Sequence, residues 1–142
     1  MPSAHALLDQ EYAATASVLA EIRAATRTAC LTAGYTEACT HDVVLAINEA
    51  CMNVIQHAYA GEPGHRLRVR LVEDEGCVTA SILDHGRPAD NADLRPREYA
   101  DLRPGGLGVR FMRDSMDKVT FVPPPAGYSN CLILSKRLAR GE

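Results

Sequence analysis

The chain has 142 residues, of which 46% are hydrophobic and 23% charged, and its formal net charge is −3. This length fits one domain over 1–142, and the lack of a basic surplus argues against nucleic acid or an anionic membrane surface as a partner. The five cysteines form no C-x-x-C pair, which argues against a zinc site or a disulfide framework, and three of them lie in apolar patterns as small buried residues. No apolar stretch approaches the ~20 residues of a membrane span, so we expect a soluble cytoplasmic protein.

Two helices are predicted in the first half of the chain. Apolar residues at helical spacing predict the first helix over about 13–33. Thr36 or Thr40 can cap the second helix, whose apolar stripe runs over 43–58. Glycine and proline at 60–64 predict its end.

A hairpin and a long loop follow the second helix. Apolar and polar residues alternate over 65–73, and 77–83 is predicted to be the return strand, so one face of this pair is buried and the other is wet. The segment 87–104 has three prolines, many charges and few apolar residues. Such a long loop in a compact domain predicts a mobile functional lid.

The last third of the chain predicts one more helix and a second hairpin. The helix covers about 107–116, and the two strands cover 118–122 and 129–138. Helices and antiparallel strands segregated in this order indicate an α+β two-layer sandwich.

Three polar side chains on the second helix form the first candidate site. Glu49, Asn53 and His57 are spaced four residues apart, so they share a ridge at the border of the apolar stripe. The amide oxygen of Asn53 suits Mg²⁺, and the Glu49 carboxylate could deprotonate a nucleophile beside that ion. The alternative is a polar helix edge, with Glu49 solvated, Asn53 bonded to a neighbour and His57 structural.

The second candidate site is Asp84-His85-Gly86 at the end of a strand. A carboxylate there can accept a hydrogen bond from the exocyclic amine of a base, and Gly86 lets a ligand approach the backbone. The alternative is an ordinary Asp-x-Gly turn.

The third candidate site is the turn Gly105-Gly106-Leu107-Gly108, which leads into the predicted third helix. Backbone N–H groups at a helix start bind phosphate. The alternative is a lid hinge before a helix. No Gly-Lys-Ser/Thr follows, so this turn is not a Walker A loop. A metal site, a base site and a phosphate site together predict a pocket for Mg²⁺ and ATP.

These motifs, E-x-x-x-N-x-x-x-H-A-Y, then D-x-G, then G-G-L-G, resemble those of the GHKL (Bergerat-fold) ATPases. Within that superfamily the chain looks most like the anti-sigma-factor serine/threonine kinases of bacterial partner-switching systems. The resemblance covers about 19–138 and implies a mixed, mostly antiparallel sheet with helices on one face. One departure is Asp84-His85-Gly86-Arg87-Pro88, where many members read D-x-G-x-G.

The resemblance also implies a role for each matching residue. Glu49 would be the general base, Asn53 would hold Mg²⁺, and Asp84 would bind the adenine amine, with Gly86 clearing space. Phosphate contacts would come from Gly105, Gly106, Leu107 and Gly108, and 87–104 would be the ATP lid.

The implied partners are a STAS-domain anti-anti-sigma factor as the phosphorylation substrate, a sigma factor, and a second copy of the chain in a homodimer. The competing hypothesis is a nucleotide-gated module that sequesters a sigma factor or another regulator with little kinase activity.

Overall fold

Six strands form one sheet in the computed structural model, which describes residues 4–60, 62–86, 97–98, 112 and 114–138. The strand order is β1-β2-β3-β6-β5-β4, and every pairing in these ranges is antiparallel. The strands are β1 (His5–Ala13), β2 (Arg66–Asp74), β3 (Cys77–Asp84), β4 (Arg97–Glu98), β5 (Lys118–Val122) and β6 (Asn130–Arg137).

Two helices pack on this sheet: α1 (Leu19–Thr32) and α2 (Glu37–Asn53). Of the two predicted caps, Thr36 is the one used, since its side chain accepts a hydrogen bond from the Cys39 N–H at 3.1 Å. The helical path continues beyond Asn53 as one π-helical turn, Val54–Ala58. In the described part of the chain neither helix has the length and apolar character of a membrane-spanning segment.

The N-terminal strand β1 has no counterpart among the predicted elements. Helix α1 therefore begins at Leu19 and not near 13, because Ala13 ends β1 and a short 3-10 turn precedes α1. A register shift near the start of β1 interrupts the alternation that would identify a strand. Ion pairs with β2 hold this edge strand: Asp9 to Arg68 at 2.6 Å and Glu11 to Arg66 at 2.9 Å.

The core lies between one face of the sheet and the two helices. Leu67, Val69 and Leu71 on β2 are at most 1% exposed, as the alternation predicts. They share one hydrophobic cluster with Ile22 of α1 and Ile47 of α2, both fully buried. Each such side chain contributes roughly 1.5–3 kcal/mol of burial free energy. This confirms the two-layer α+β arrangement.

Four of the five cysteines are buried packing residues, one more than the three that apolar patterns predict. All five are free thiols, and all but Cys77 are buried. Burial raises the pKa of Cys51 to about 12, so this thiol stays protonated at neutral pH and is a poor nucleophile.

Both predicted hairpins are confirmed, and β2 and β3 join through a tight turn. Glu75 and Gly76 in that turn have φ values of 53° and 79°. Most of the predicted lid, 87–104, lies outside the described residues. Residues Arg97–Glu98 of this segment form β4 and pair with β5, so the prediction that the whole segment is a loop was wrong at these two residues. Of the predicted third helix, the described residues 112, 114 and 115 are helical.

Candidate nucleotide-binding site

Glu49 lies on α2 with part of its carboxylate enclosed by protein. The side chain is half-buried, and its Oε2 is buried without a hydrogen-bond partner among the described residues. A buried carboxylate oxygen without a donor costs folding free energy, and such groups concentrate where a ligand or a reaction uses them. The alternative of a solvated Glu49 on a polar helix edge therefore does not describe this oxygen.

Asn53 is the last residue of α2 and lies one turn beyond Glu49. The π-helical turn begins directly after it and is closed by the Tyr59 N–H, which donates to Val54 O at 3.1 Å. Single π-helical turns occur frequently at functional sites. The side chain of the nearby Asn48 already has a partner within the protein, since its Oδ1 accepts a hydrogen bond from Arg23 Nη1 at 2.9 Å. The side-chain amide of Asn53 has no hydrogen-bond partner among the described residues, so it is available to a ligand.

Asp84 ends β3 and is 3% exposed. Its Oδ1 accepts hydrogen bonds from the Gly86 N–H at 2.8 Å and from Asn130 Nδ2 at 2.9 Å. Burial raises the pKa of the Asp84 carboxyl above its ordinary value, although these two donors and the charge of His85 act in the opposite direction. Within the described ranges Oδ2 has no partner, which leaves one carboxylate oxygen to accept a hydrogen bond from a ligand.

Asn130 belongs to this site but was not among the predicted site residues. It begins β6 directly opposite Asp84 in the antiparallel register and is 6% exposed. The two residues are 46 positions apart, and no local pattern links them. Only the pairing register of β3 with β6 could have revealed the contact.

Gly86 faces the end of the π-helical turn. A Cβ added to Gly86 would lie 2.5 Å from Ala58 O and 2.8 Å from Ala58 Cβ. The sequence predicted a glycine that clears space for a ligand. In the structure, the space beside Gly86 Cα is filled by Ala58, so the protein's own packing already requires glycine.

Tyr59 follows Ala58 and joins the same two segments through its hydroxyl. That hydroxyl donates to Arg66 O at 2.5 Å and accepts from the His85 N–H at 2.7 Å. Together, Ala58 and Tyr59 bring the helix that carries Glu49 and Asn53 against the turn that carries Asp84. The structure thus joins the two segments that carry the first and second predicted sites.

The third predicted site, Gly105, Gly106, Leu107 and Gly108, lies outside the described residues. His57, on the predicted ridge with Glu49 and Asn53, is exposed.

A half-buried carboxylate and an amide thus lie on one helix, and the end of that helical path contacts the turn that follows a buried carboxylate on a strand end. Carboxylate and amide oxygens of this kind can coordinate a hard cation and can accept a hydrogen bond from a base amine. A sequence model of the histidine kinase-like ATPase domain matches residues 12–136 of the chain.

Several proteins of the same kind are similar in sequence. The chain is 34% identical over 96 residues to the serine-protein kinase RsbW of Bacillus pumilus, a match that covers 61% of the chain and 59% of that protein. It is 32% identical over 94 residues to RsbW of Bacillus subtilis, with the same coverage. An anti-sigma F factor of Halalkalibacterium halodurans is 27% identical over 105 residues, covering 71% of each chain. The chain thus spans about three fifths of the length of these RsbW proteins.

The fold is also found in a solved structure, that of the RsbU and RsbW domains of Rv1364c from Mycobacterium tuberculosis. The TM-score is 0.64 at 23% identity, and the match covers 94% of this chain and 32% of that one. At this identity the likeness speaks for the fold alone. Because the family match spans nearly all of the sequence, the chain belongs to the family of histidine kinase-like ATPase domains.

Proposed function

We propose that the chain is an ATP- and Mg²⁺-dependent serine/threonine protein kinase of a bacterial partner switch. Its substrate is a STAS-domain anti-anti-sigma factor, and in its other state the chain holds a sigma factor as a homodimer. The family supports ATP as the phosphoryl donor, and the relatives named serine-protein kinase and anti-sigma factor support the two roles. The observation that carries the proposal is the buried, unpartnered Oε2 of Glu49, one helical turn before Asn53.

Glu49 acts as the general base. Its carboxylate takes the proton of the incoming serine or threonine hydroxyl. The hydroxyl oxygen bonds to the γ-phosphorus as the bond from that phosphorus to the β–γ bridging oxygen breaks. Bound ATP would supply the phosphoryl group and Mg²⁺ would offset its negative charge, so the residues of this chain contribute mainly by positioning the reactants.

Asn53 and Asp84 hold the two ends of the nucleotide. The Asn53 amide oxygen would bind Mg²⁺, which takes few protein ligands beside phosphate oxygens and water. Asp84 Oδ2 would accept a hydrogen bond from the adenine amine, because Oδ1 is already occupied by Gly86 and Asn130. Gly105, Gly106, Leu107 and Gly108 would contribute N–H groups to the phosphates.

The competing function is a nucleotide-gated binding module without kinase activity. Such a module has no use for a general base and would tolerate a solvated or hydrogen-bonded residue at position 49. The enclosed Oε2 of Glu49 therefore favours the kinase.

Phosphoryl transfer tests the proposal directly. The purified chain is incubated with Mg²⁺, a STAS-domain anti-anti-sigma protein and ATP labelled in its γ-phosphate. We expect the label on a serine or threonine of the STAS protein, and none when EDTA removes Mg²⁺. If ATP binds but no label is transferred at any Mg²⁺ concentration, the chain is the binding module instead.

A further inference from the structure

Tyr59 connects the two halves of the candidate site although it is 3% exposed and is itself no ligand of the nucleotide in the proposal above. Its hydroxyl uses both its donor and its acceptor capacity on the protein backbone, at Arg66 O and at the His85 N–H. These partners lie at the start of β2 and directly after β3. A single buried side chain therefore joins the end of the α2 path to the strand pair that carries Asp84.

The peptide unit between Asp84 and His85 is held at both of its polar ends. Its N–H donates to the Tyr59 hydroxyl at 2.7 Å, and its carbonyl, Asp84 O, accepts from the Ser129 N–H at 2.8 Å. A peptide plane fixed at both ends cannot rotate without breaking one of these bonds. Because the side chain of Asp84 leaves the backbone beside this plane, the plane constrains where that side chain starts, and the bonds from Gly86 and Asn130 then orient the carboxylate.

Tyr59 is itself fixed to the α2 path. Its N–H closes the π-helical turn by donating to Val54 O at 3.1 Å. Its ring stacks on His65, with ring centroids 4.3 Å apart and an angle of 2° between the planes. Asn53 lies directly before that turn, so the hydroxyl is held in a fixed relation to the proposed Mg²⁺ ligand.

We infer that Tyr59 is a positioning residue that sets the Asp84 turn relative to α2 and thereby makes the site selective for a base with an exocyclic amine. This inference rests on the proposed function, in which Asp84 Oδ2 binds the adenine amine. Tyr59 touches neither the base nor the phosphates. It acts by holding the acceptor where the amine arrives.

Tyr59→Phe tests this role because it keeps the packed ring and removes only the hydroxyl. The His85 N–H and Arg66 O then lose their partner, and the turn relaxes before a nucleotide binds. We expect the Kd for ATP to rise about tenfold, the size of one lost buried hydrogen bond. The Kd for ITP, whose base carries a carbonyl in place of the amine, should change little. The preference for ATP over ITP should therefore fall by about the same factor.

Tyr35→Phe is the matched control. Tyr35 is also a buried tyrosine, 4% exposed, and its hydroxyl donates to a buried acceptor, Glu73 Oε1, at 2.6 Å. Its loss should lower the free energy of unfolding without changing the preference for ATP over ITP. If Tyr59 is merely structural, Tyr59→Phe should behave like Tyr35→Phe and lose stability without losing its preference for ATP over ITP. An ATP-over-ITP preference in Tyr59→Phe equal to that of wild type would overturn the inference.

The wild-type measurements separate this inference from the proposed function. If the wild type does not prefer ATP over ITP, the adenine role of Asp84 is wrong and the inference is overturned with it. If the wild type prefers ATP and Tyr59→Phe keeps the same preference, the proposed function stands and only the role of Tyr59 is lost. Should Tyr59→Phe not fold, amide hydrogen exchange on the wild type decides. We expect a protected His85 amide without nucleotide, and rapid exchange there would contradict the inference.

Discussion

Gly86 and Ala58 are packed so closely that the backbone of one excludes a side chain on the other. A Cβ on Gly86 would lie 2.5 Å from Ala58 O, closer than real Cβ contacts come. Ala58 belongs to the helix motif and Gly86 to the strand-end motif. Two motifs recognised separately in the sequence are therefore in direct contact, and this contact requires glycine at position 86.

The first prediction concerns that contact. Gly86→Ala should lower the free energy of unfolding by about 1–3 kcal/mol, the usual cost of overpacking, and should weaken ATP binding because the turn must move away from α2. The nearest atom is a backbone oxygen, so Ala58→Gly should rescue the variant only in part. Urea denaturation and calorimetric titration with ATP measure the two effects.

Gly64→Ala is the control for this prediction. Gly64 has a φ of 89° and no neighbour within 4 Å of an added Cβ, so its cost of roughly 1–2 kcal/mol is local backbone strain. It should leave ATP affinity unchanged. Equal ATP affinity in Gly86→Ala and wild type would show that the Gly86–Ala58 contact does not shape the site.

The second prediction concerns Glu49. Glu49→Gln should lower the rate of phosphoryl transfer by about 10²- to 10⁴-fold, because the amide cannot accept the proton, while the Kd for ATP stays near that of wild type. Transfer of labelled phosphate and calorimetric titration measure the two quantities. Glu37→Gln, in the exposed first turn of the same helix, should transfer normally. Undiminished transfer by Glu49→Gln would exclude a general-base role.

The third prediction concerns Asn53. Asn53→Ala should raise the Kd for ATP at least tenfold in the presence of Mg²⁺, roughly the loss seen when even an outer partner of a bound metal is removed. With EDTA the variant and wild type should bind ATP equally. Asn48→Ala, which removes an amide already bonded to Arg23, should keep the Mg²⁺ dependence of wild type. An unchanged Mg²⁺ effect in Asn53→Ala would argue against its role as a metal ligand.

The fourth prediction follows from the raised pKa of Asp84. The pKa in the folded state lies above the ordinary value of 3.8, mainly because of burial, so the proton is bound more tightly in the folded state. The protonated Asp84 carboxyl therefore stabilises the folded state, fully below pH 3.8. This stabilisation is lost as the pH rises through the raised pKa. Asp84→Asn keeps an oxygen for Gly86 and Asn130 and carries no charge. Its stability relative to wild type should therefore increase as the pH rises from about 4 to about 7.

The same variant should bind ATP about 10- to 100-fold more weakly, because an amide N–H₂ replaces the free Oδ2 and faces the adenine amine, donor against donor. Urea denaturation across that pH range and titration with ATP check the two parts. A wild type that gains stability over Asp84→Asn on raising the pH would contradict the assigned direction of the pKa shift.

The sequence predicted the elements whose signals are local. The apolar stripe predicted the second helix, and the alternation of apolar and polar residues predicted the first hairpin. Thr36 was one of two predicted caps, and the structure uses it. Strand β1 was missed because its register shift breaks the alternation and because its pairing partner β2 is distant in sequence. Asp9 on β1 and Arg68 on β2, which form an ion pair, are 59 positions apart. The π-helical turn after Asn53 was missed because its residues also fit a continuing α-helix.

For the candidate site, the sequence by itself determined the chemical groups: a carboxylate and an amide one helical turn apart, and a carboxylate before a glycine. Spacing along one element suffices for that, because helix geometry relates residues four apart. Only the tertiary structure decided how these groups are held. The Asp84–Asn130 pair, the contact of Gly86 with Ala58 and the bond from His85 to Tyr59 all join distant parts of the chain. Strand register and packing across the core create such contacts, and no local pattern encodes either of them.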